Sequence, residues 1–87
     1  MNKILTKTVL SYGNAIIYDW MHDYGEYSNL CLQTNDGIIK WYAQIDGEDS
    51  YVGVAERNGK IIAQTFNCFT VELDPEDGRI LKSSPGK

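Results

Sequence analysis

The chain has 87 residues, eight of them basic and twelve acidic, and its formal net charge at pH 7 is −4. A length below about 100 residues is that of one domain with a modest core. The acidic balance argues against nucleic acid and anionic lipid as partners, because both are bound through cationic side chains. We therefore expect a basic protein partner, or one whose binding does not depend on charge.

Neither a secretion signal nor a membrane span is recognisable in the sequence. The N-terminus carries Lys3 and Lys7 but lacks the continuous apolar run of a signal peptide. No apolar stretch approaches the ~20 residues that cross a bilayer. We expect one cytoplasmic domain over residues 1–87, with residues 83–87 as a flexible tail.

The first two segments are the least regular of the chain. Residues 3–12 are rich in threonine and lack a helix cap, which predicts a strand, with one short N-terminal helix as the alternative. Residues 14–20 place Ile16, Tyr18 and Trp20 on one face of a strand. This second segment is the expected hairpin partner of the first.

Turn signals separate alternating apolar segments through the rest of the chain. Asp-Gly and Asn-Gly pairs supply the positive φ that tight turns require. Residues 69–73 alternate most clearly, with Phe69, Val71 and Leu73 on one face. Hairpin turns are predicted at Asp36-Gly37, Asp46–Asp49, Asn58-Gly59 and Asp77-Gly78.

These signals predict an all-β, mainly antiparallel domain. We expect about five to eight strands in a small meander, a blade-like sheet or a sandwich. The core is expected where the apolar faces of the strands meet. Its predicted members are Trp41, Val52, Val54, Ile62, Phe69, Val71, Leu73 and Ile80.

The two cysteines, Cys31 and Cys68, each lie inside an apolar stretch. A free cysteine behaves as a small hydrophobic residue. Both are therefore expected to be reduced thiols in the core, and a disulfide between them is the alternative.

The sequence contains an internal repeat. Residues 32–41 align without gaps on residues 73–82, with leucine, Asp-Gly and isoleucine at the same places. A period near 40 residues is typical of four-stranded β-propeller blades. Residues 58–63 and 69–81 also resemble one repeat of the quinoprotein-type propellers. Because a propeller needs about four to eight blades, this resemblance implies blade-like hairpins and no bound quinone.

Few residues are suited to catalysis or metal binding. His22, the single histidine, stands beside Asp23 and is expected to be a solvated loop residue rather than a general base. One histidine and two distant cysteines do not form a zinc site, and the acidic turns lack the ligand pattern of a calcium loop. We therefore expect a protein that is not an enzyme and that uses neither metal nor cofactor.

Acidic residues are concentrated in two stretches, and tyrosines accompany them. Clustered carboxylates repel one another, and a basic partner relieves that repulsion. Tyrosine is favoured at interfaces because it buries a large area at low entropic cost. The alternatives are ordinary polar turns and cross-strand packing on an open sheet face. The predicted partner surface consists of Asp19, Asp23, Glu26, Tyr42, Asp46, Glu48, Asp49 and Tyr51.

In size, charge and β-rich character the chain resembles small acidic toxin-immunity proteins of bacteria. That resemblance implies an inhibitor whose acidic turns occupy the cationic active site of a toxin, such as a nuclease domain, with tyrosines as apolar anchors. The alternative function is a structural or assembly module that forms a homo-oligomer through a sheet edge or an aromatic face.

Overall fold

The computed structural model describes residues 4–19, 28–47 and 49–85, which form two four-stranded antiparallel sheets. In each sheet the strands lie side by side in chain order, so every pairing joins consecutive strands. The N-terminal sheet contains β1 (Ile4–Leu10), β2 (Gly13–Tyr18), β3 (Leu30–Gln33) and β4 (Ile39–Tyr42). The C-terminal sheet contains β5 (Tyr51–Arg57), β6 (Lys60–Thr65), β7 (Phe69–Leu73) and β8 (Ile80–Pro85).

This architecture confirms the prediction of a small all-β antiparallel domain. β1 is a strand rather than the alternative helix, and β2 is its hairpin partner. Three predicted turns connect paired strands, at Asp36-Gly37, Asn58-Gly59 and Asp77-Gly78. Asn58 and Gly59 both have positive φ, 53° and 78°, as a two-residue hairpin turn requires. No helix long and apolar enough to cross a membrane occurs among the described residues.

The fourth predicted hairpin, at Asp46–Asp49, is wrong. β4 and β5 belong to different sheets and do not pair, so the connection between them, described at residues 43–47 and 49–50, is a crossover from one sheet to the other. Acidic and glycine residues are favoured in either kind of connection, because both need polar, turning backbone. The crossover is where the candidate site lies.

The expected flexible tail is also wrong for residues 83–85. Ser83, Ser84 and Pro85 belong to β8 and pair with Val71, Thr70 and Phe69 of β7. The polar side chains of this strand are exposed because they lie at the edge of the sheet, and their backbone is nevertheless part of the ladder. Residues 86–87 lie outside the described part of the chain.

The internal repeat corresponds to equivalent hairpins. Its first copy, residues 32–41, runs from β3 through the turn into β4, and its second copy, residues 73–82, runs from β7 into β8. In each sheet these are the third and fourth strands.

The core lies between the two sheets and draws side chains from both. Tyr12, Ile45, Val54 and Ile80 pack against it as half-buried residues. β5, the first strand of the C-terminal sheet, contacts β1 and β2 of the other sheet. The buried members are Leu10, Ala15, Ile17, Leu30, Leu32, Trp41, Ala43, Tyr51, Ile61, Ala63, Val71 and Leu73.

Trp41, Val71 and Leu73 are buried in this core as predicted, and Val54 and Ile80 pack against it. Val52, Ile62 and Phe69 were also predicted to be core residues and lie outside the buried core, each for a different physical reason.

Val52 is 46% exposed because of a β-bulge. The pairing of β5 with β6 shifts between Tyr51 and Gly53, so strict alternation breaks at Val52. Tyr51 and Val54 consequently both reach the core side of the sheet. A bulge in β4 acts in the same way on Ile39, which is exposed although Trp41, two residues further along the strand, is buried.

Ile62 and Phe69 depart from the predicted core for other reasons. β6 begins with two adjacent isoleucines, and its register pairs Ile61 with Leu73, which turns Ile62 to the outer face. Phe69 shares the core-facing side of β7 with Val71, but it begins the strand and stays 41% exposed at the margin of the core.

The two cysteines are both free and differ in burial. Cys31 is fully buried on β3, on the face opposite Leu30 and Leu32. Cys68 is exposed in the β6–β7 turn, where its φ is 70°. The expectation of two core thiols is therefore wrong for Cys68, because a tight turn lies within its apolar stretch.

Candidate functional site

A pocket of about 140 Å³ opens where the crossover meets the C-terminal sheet. We call it the crossover pocket. One wall comes from the crossover, and the others come from the β6–β7 turn and from strands β5, β7 and β8. Its lining residues are Ile45, Asp46, Asp49, Tyr51, Thr65, Asn67, Phe69, Val71, Ile80 and Ser83.

Two carboxylates lie on the crossover side of the pocket. Asp49 is half-buried, and its Oδ1 accepts the backbone N–H groups of Ser50 at 2.8 Å and Asn67 at 3.1 Å. These bonds tie the crossover to the β6–β7 turn and fix the Asp49 carboxylate. Asp46 is exposed and makes no hydrogen bond or ion pair with any described residue.

Tyr51 forms the deep end of the pocket and is fully buried. The buried amide of Asn29 holds its backbone: Tyr51 N–H donates to Asn29 Oδ1 at 2.8 Å, and Asn29 Nδ2 donates to Tyr51 O at 2.9 Å. The Tyr51 hydroxyl donates to the carbonyl oxygen of Gln44. Tyr51 was predicted to be part of a partner-binding surface and is buried instead, because the bulge at Val52 turns it toward the core.

Burial raises the pKa of Tyr51 well above its ordinary value, and the negative charges of Asp46 and Asp49 raise it further. The phenol therefore stays neutral, and its one hydrogen is committed to Gln44 O. Its oxygen still has the capacity to accept a hydrogen bond. Tyr51, Asp46 and Asp49 thus line the pocket with acceptor oxygens, while no lysine or arginine is among the lining residues that the structure describes.

The opposite side of the pocket is mostly apolar. Ile45, Phe69, Val71 and Ile80 line it, and Thr65 is buried beneath with its Oγ1 accepting the N–H of Phe69 at 3.0 Å. A ligand that suits this arrangement has an apolar part and a cationic or hydrogen-bond-donating end.

The structure brings together three of the eight residues predicted for the partner surface, namely Asp46, Asp49 and Tyr51. Tyr42 and Asp19 do not line the pocket. The remaining predictions, Asp23, Glu26 and Glu48, and also His22, lie outside the described residues.

Tyr42 lies on the outer face of the N-terminal sheet. It is paired with Cys31, whose Sγ lies 3.9 Å from the Tyr18 hydroxyl. Burial raises the pKa of Tyr18 to about 12, and Cys31 adds to that shift. Burial likewise raises the pKa of the Cys31 thiol. Tyr42 therefore belongs to a packed, neutral cluster that is separate from the acidic pocket.

The pocket wall that faces the crossover was not predicted from the sequence. Thr65 and Asn67 belong to it, and no glycine or Asn-Gly pair marks the turn there. The positive φ of this turn falls on Cys68, a residue type that rarely signals one. Within residues 4–19, 28–47 and 49–85 no group of three or more His, Cys, Asp or Glu side chains is placed to hold a metal ion.

Comparison with known proteins identifies one family. Searches against curated proteins and against solved structures give no significant match. A family model described as a domain of unknown function, DUF7957, matches residues 7–84 and so spans nearly the whole chain, including both sheets and the crossover pocket. The chain therefore belongs to the DUF7957 family.

Proposed function

We propose that this domain binds a basic protein through the crossover pocket and its surroundings. The observation that carries the proposal is the pair of carboxylates, Asp46 and Asp49, on a pocket with no cationic side chain among its described lining residues. The net charge of −4 favours the same class of partner. In its most concrete form the protein is a non-catalytic, cytoplasmic immunity or inhibitor protein that covers the cationic active site of a toxin, such as a nuclease domain.

The unpaired state of Asp46 supports a role in association. An exposed carboxylate that has no partner among the described residues is available to an incoming cation, and Asp49 adds a second charge beside it. Such charges accelerate encounter with a cationic surface and set specificity more than they add affinity. Screening by salt should therefore slow binding.

Charge reversal at Asp46 tests the proposal. A partner captured from the source cell is identified, and its association rate is measured for the parent and for Asp46→Lys between low and high salt. We expect Asp46→Lys to lower the association rate by about tenfold at low salt. The matched control is Asp36→Lys, which makes the same change of net charge in an exposed turn at the other end of β4.

The control separates local from overall charge. An association rate reduced equally by both variants would reflect net charge and contradict a role for the pocket. An acidic partner, or binding that is indifferent to salt and to both reversals, would overturn the proposal.

A homo-oligomeric assembly module is the second candidate, and exposed apolar residues on the N-terminal sheet favour it. Val9 is 78% exposed and Ile39 is 40% exposed. They lie in the same cross-strand row, at its two ends, because Val9 pairs with Asn14, Asn14 with Gln33 and Gln33 with Ile39. Light scattering on the purified protein tests this candidate: a dimer that Val9→Ser dissociates would support it, and a monomer at high concentration would exclude it.

A further inference from the structure

We propose that the crossover pocket receives a single lysine side chain of the partner protein. The inference rests on the proposed function and specifies its chemistry. The stem of the lysine lies against the apolar wall, and its ammonium group lies among the acceptor oxygens of Asp46, Asp49 and Tyr51.

The size of the pocket suits one side chain. Its volume is about 140 Å³, close to the ~150 Å³ of an apolar cavity that holds one benzene molecule. A lysine side chain has fewer heavy atoms than benzene has, so one fits and a second does not. The site is therefore a socket for one residue rather than a groove for a peptide segment.

The two kinds of wall match the two parts of lysine. Long cationic side chains place their methylene groups on apolar surface while the charged end stays among polar groups. Ile45, Phe69 and Ile80 provide the apolar surface, and Phe69 is exposed enough to be reached from outside. Insertion would cover part of Phe69, which the fold itself leaves 41% exposed.

The buried phenol supplies a hydrogen-bond acceptor that is independent of the carboxylates. Tyr51 is fully buried, and its only hydroxyl hydrogen is donated to Gln44 O. Its oxygen can therefore act toward the pocket only as an acceptor. A hydrogen-bond donor entering the pocket meets this oxygen as well as the two carboxylates.

The arrangement of acceptors favours lysine over arginine. An ammonium group has three donors that point in different directions, whereas a guanidinium group is best matched by both oxygens of one carboxylate. Oδ1 of Asp49 already accepts two backbone N–H groups, so Asp49 is poorly suited to a two-point contact. Three separate acceptor groups suit the three donors of lysine.

Titration with a small probe tests the socket without the partner. Nα-acetyl-lysine amide is added to the ¹⁵N-labelled protein while backbone amide signals are followed by NMR. We expect saturable shifts of Tyr51, Thr65 and Asn67, which line the pocket. Nα-acetyl-norleucine amide has the stem without the ammonium, and we expect it to bind at least tenfold more weakly. Equal binding of the two probes, or tighter binding of the arginine analogue, would overturn the lysine assignment.

A variant that fills the pocket provides the second arm. Ser83 is exposed and lines the pocket, so Ser83→Phe should fill it while leaving both carboxylates in place. The matched control is Ser84→Phe, because Ser84 lines a separate groove instead. We expect Ser83→Phe to abolish the lysine-amide shifts and to weaken partner binding at least tenfold, with Ser84→Phe close to the parent in both.

The two arms separate failure of the socket from failure of the proposed function. If Asp46→Lys slows partner association while Ser83→Phe leaves affinity unchanged and the lysine probe moves no pocket amide, charge-driven binding stands and the socket is wrong. If no basic partner binds but the probe saturates the pocket and Ser83→Phe abolishes this, the socket stands and the proposed function is wrong.

Discussion

At the scale of single residues, the side chain of Asn29 makes three hydrogen bonds. It is 2% exposed, and its amide satisfies the N–H and C=O of Tyr51 in the opposite sheet. The same Nδ2 also donates to Tyr18 O at 3.0 Å. The Asn29 side chain thus bonds to the backbone of Tyr51 as a neighbouring strand would. It does so at the edge of the C-terminal sheet, where no strand pairs with β5 on that side.

Replacing Asn29 by leucine should destabilise the protein strongly. The substitution leaves buried backbone groups of Tyr51 without partners, and each such group costs about 1–3 kcal/mol. We expect the free energy of unfolding to fall by about 2–5 kcal/mol in urea titrations. Gln64→Leu, at an exposed position of β6, is the control and should change stability by no more than about 0.5 kcal/mol. Equal midpoints for the two variants would show that the Asn29 bonds contribute nothing.

Glu56 makes a second link between the sheets, and this one depends on pH. The N–H of Ser11 donates to its Oε1 at 2.7 Å, and the Ser11 hydroxyl donates to its Oε2. These bonds lower the pKa of Glu56. Because the folded pKa lies below that of the unfolded chain, the contribution to stability is complete above the unfolded pKa and is lost as the pH falls through the folded pKa.

The substitution Glu56→Gln should therefore show a pH-dependent effect. The variant should be less stable than the parent at pH 7, and the difference should shrink as the pH falls through the lowered pKa of Glu56, where the parent carboxylate becomes protonated. Urea midpoints measured from pH 3 to pH 7 give the comparison. Glu76→Gln, in the exposed β7–β8 turn, removes the same charge and serves as the control. A stability difference that is constant with pH would contradict the role of the charged form.

At the scale of elements, the β7–β8 turn packs closely against Trp41 of β4. The indole Nε1 of Trp41 donates to Pro75 O at 2.8 Å, and the ring covers Gly78 so closely that a Cβ there would overlap it. Beyond the ring, Gln44 N donates to Gly78 O at 2.8 Å, and Ile80 N donates to Gln44 Oε1 at 2.8 Å. Gly78 is therefore required both for its positive φ and for its lack of a side chain.

Two glycine substitutions distinguish these requirements. Gly37 and Gly78 have similar positive φ, 85° and 77°, but a Cβ at Gly37 would meet no atom within 4 Å. We expect Gly37→Ala to cost about 1 kcal/mol through backbone strain alone. Gly78→Ala should cost at least about 1 kcal/mol more, because Trp41 has to move. The urea midpoints of the two variants give the comparison. Equal losses of stability would mean that Trp41 moves aside without a free-energy cost.

The strand β7 offers a graded test of the core. Leu73 is fully buried, so Leu73→Ala should lower the free energy of unfolding by about 2–5 kcal/mol. Phe69 occupies the same face but lies at the margin of the core, and Phe69→Ala should cost less than Leu73→Ala despite removing more atoms. Chemical denaturation of both variants measures the order, and a reversed order would mean that Phe69 is more buried in solution than in this structure.

Periodicity and turn chemistry were sufficient to predict the strands and three hairpins. They were insufficient wherever the ladder is irregular: a bulge reverses the orientations expected for Val52 and Tyr51, and adjacent isoleucines leave the face of β6 undecided. The acidic half of the pocket was predicted from the sequence as the acidic cluster around Asp46 and Asp49. Its other half was not, because Thr65 and Phe69 reach the pocket only through the packing of distant elements.

At the scale of the whole molecule, two tyrosines make the fold sensitive to alkali. Burial raises the pKa of Tyr18 to about 12 from an ordinary value of 10.0 and raises that of Tyr51 in the same direction. The unfolded chain therefore loses these protons first as the pH rises. The contribution to stability is complete below pH 10 and is lost as the pH rises toward and through the folded values.

Unfolding in urea at increasing pH measures this effect. The midpoint should be steady between pH 7 and pH 9 and should fall between pH 10 and pH 12, and Tyr18→Phe should reduce that fall. A midpoint that is unchanged up to pH 12, or a fall that Tyr18→Phe leaves unaltered, would contradict the assignment.

The chain-order pairing of the strands has a consequence for how the molecule folds. Each sheet is one continuous stretch of chain, residues 4–42 and residues 51–85, and each pairing closes only the loop between neighbouring strands. Such short closures cost little entropy and favour rapid formation of local structure. The contacts between Asn29 and Tyr51 and between Gln44 and Ile80 form only when the sheets dock. A ligand that fills the crossover pocket binds the folded chain and not the unfolded one, so it should stabilise the docked state.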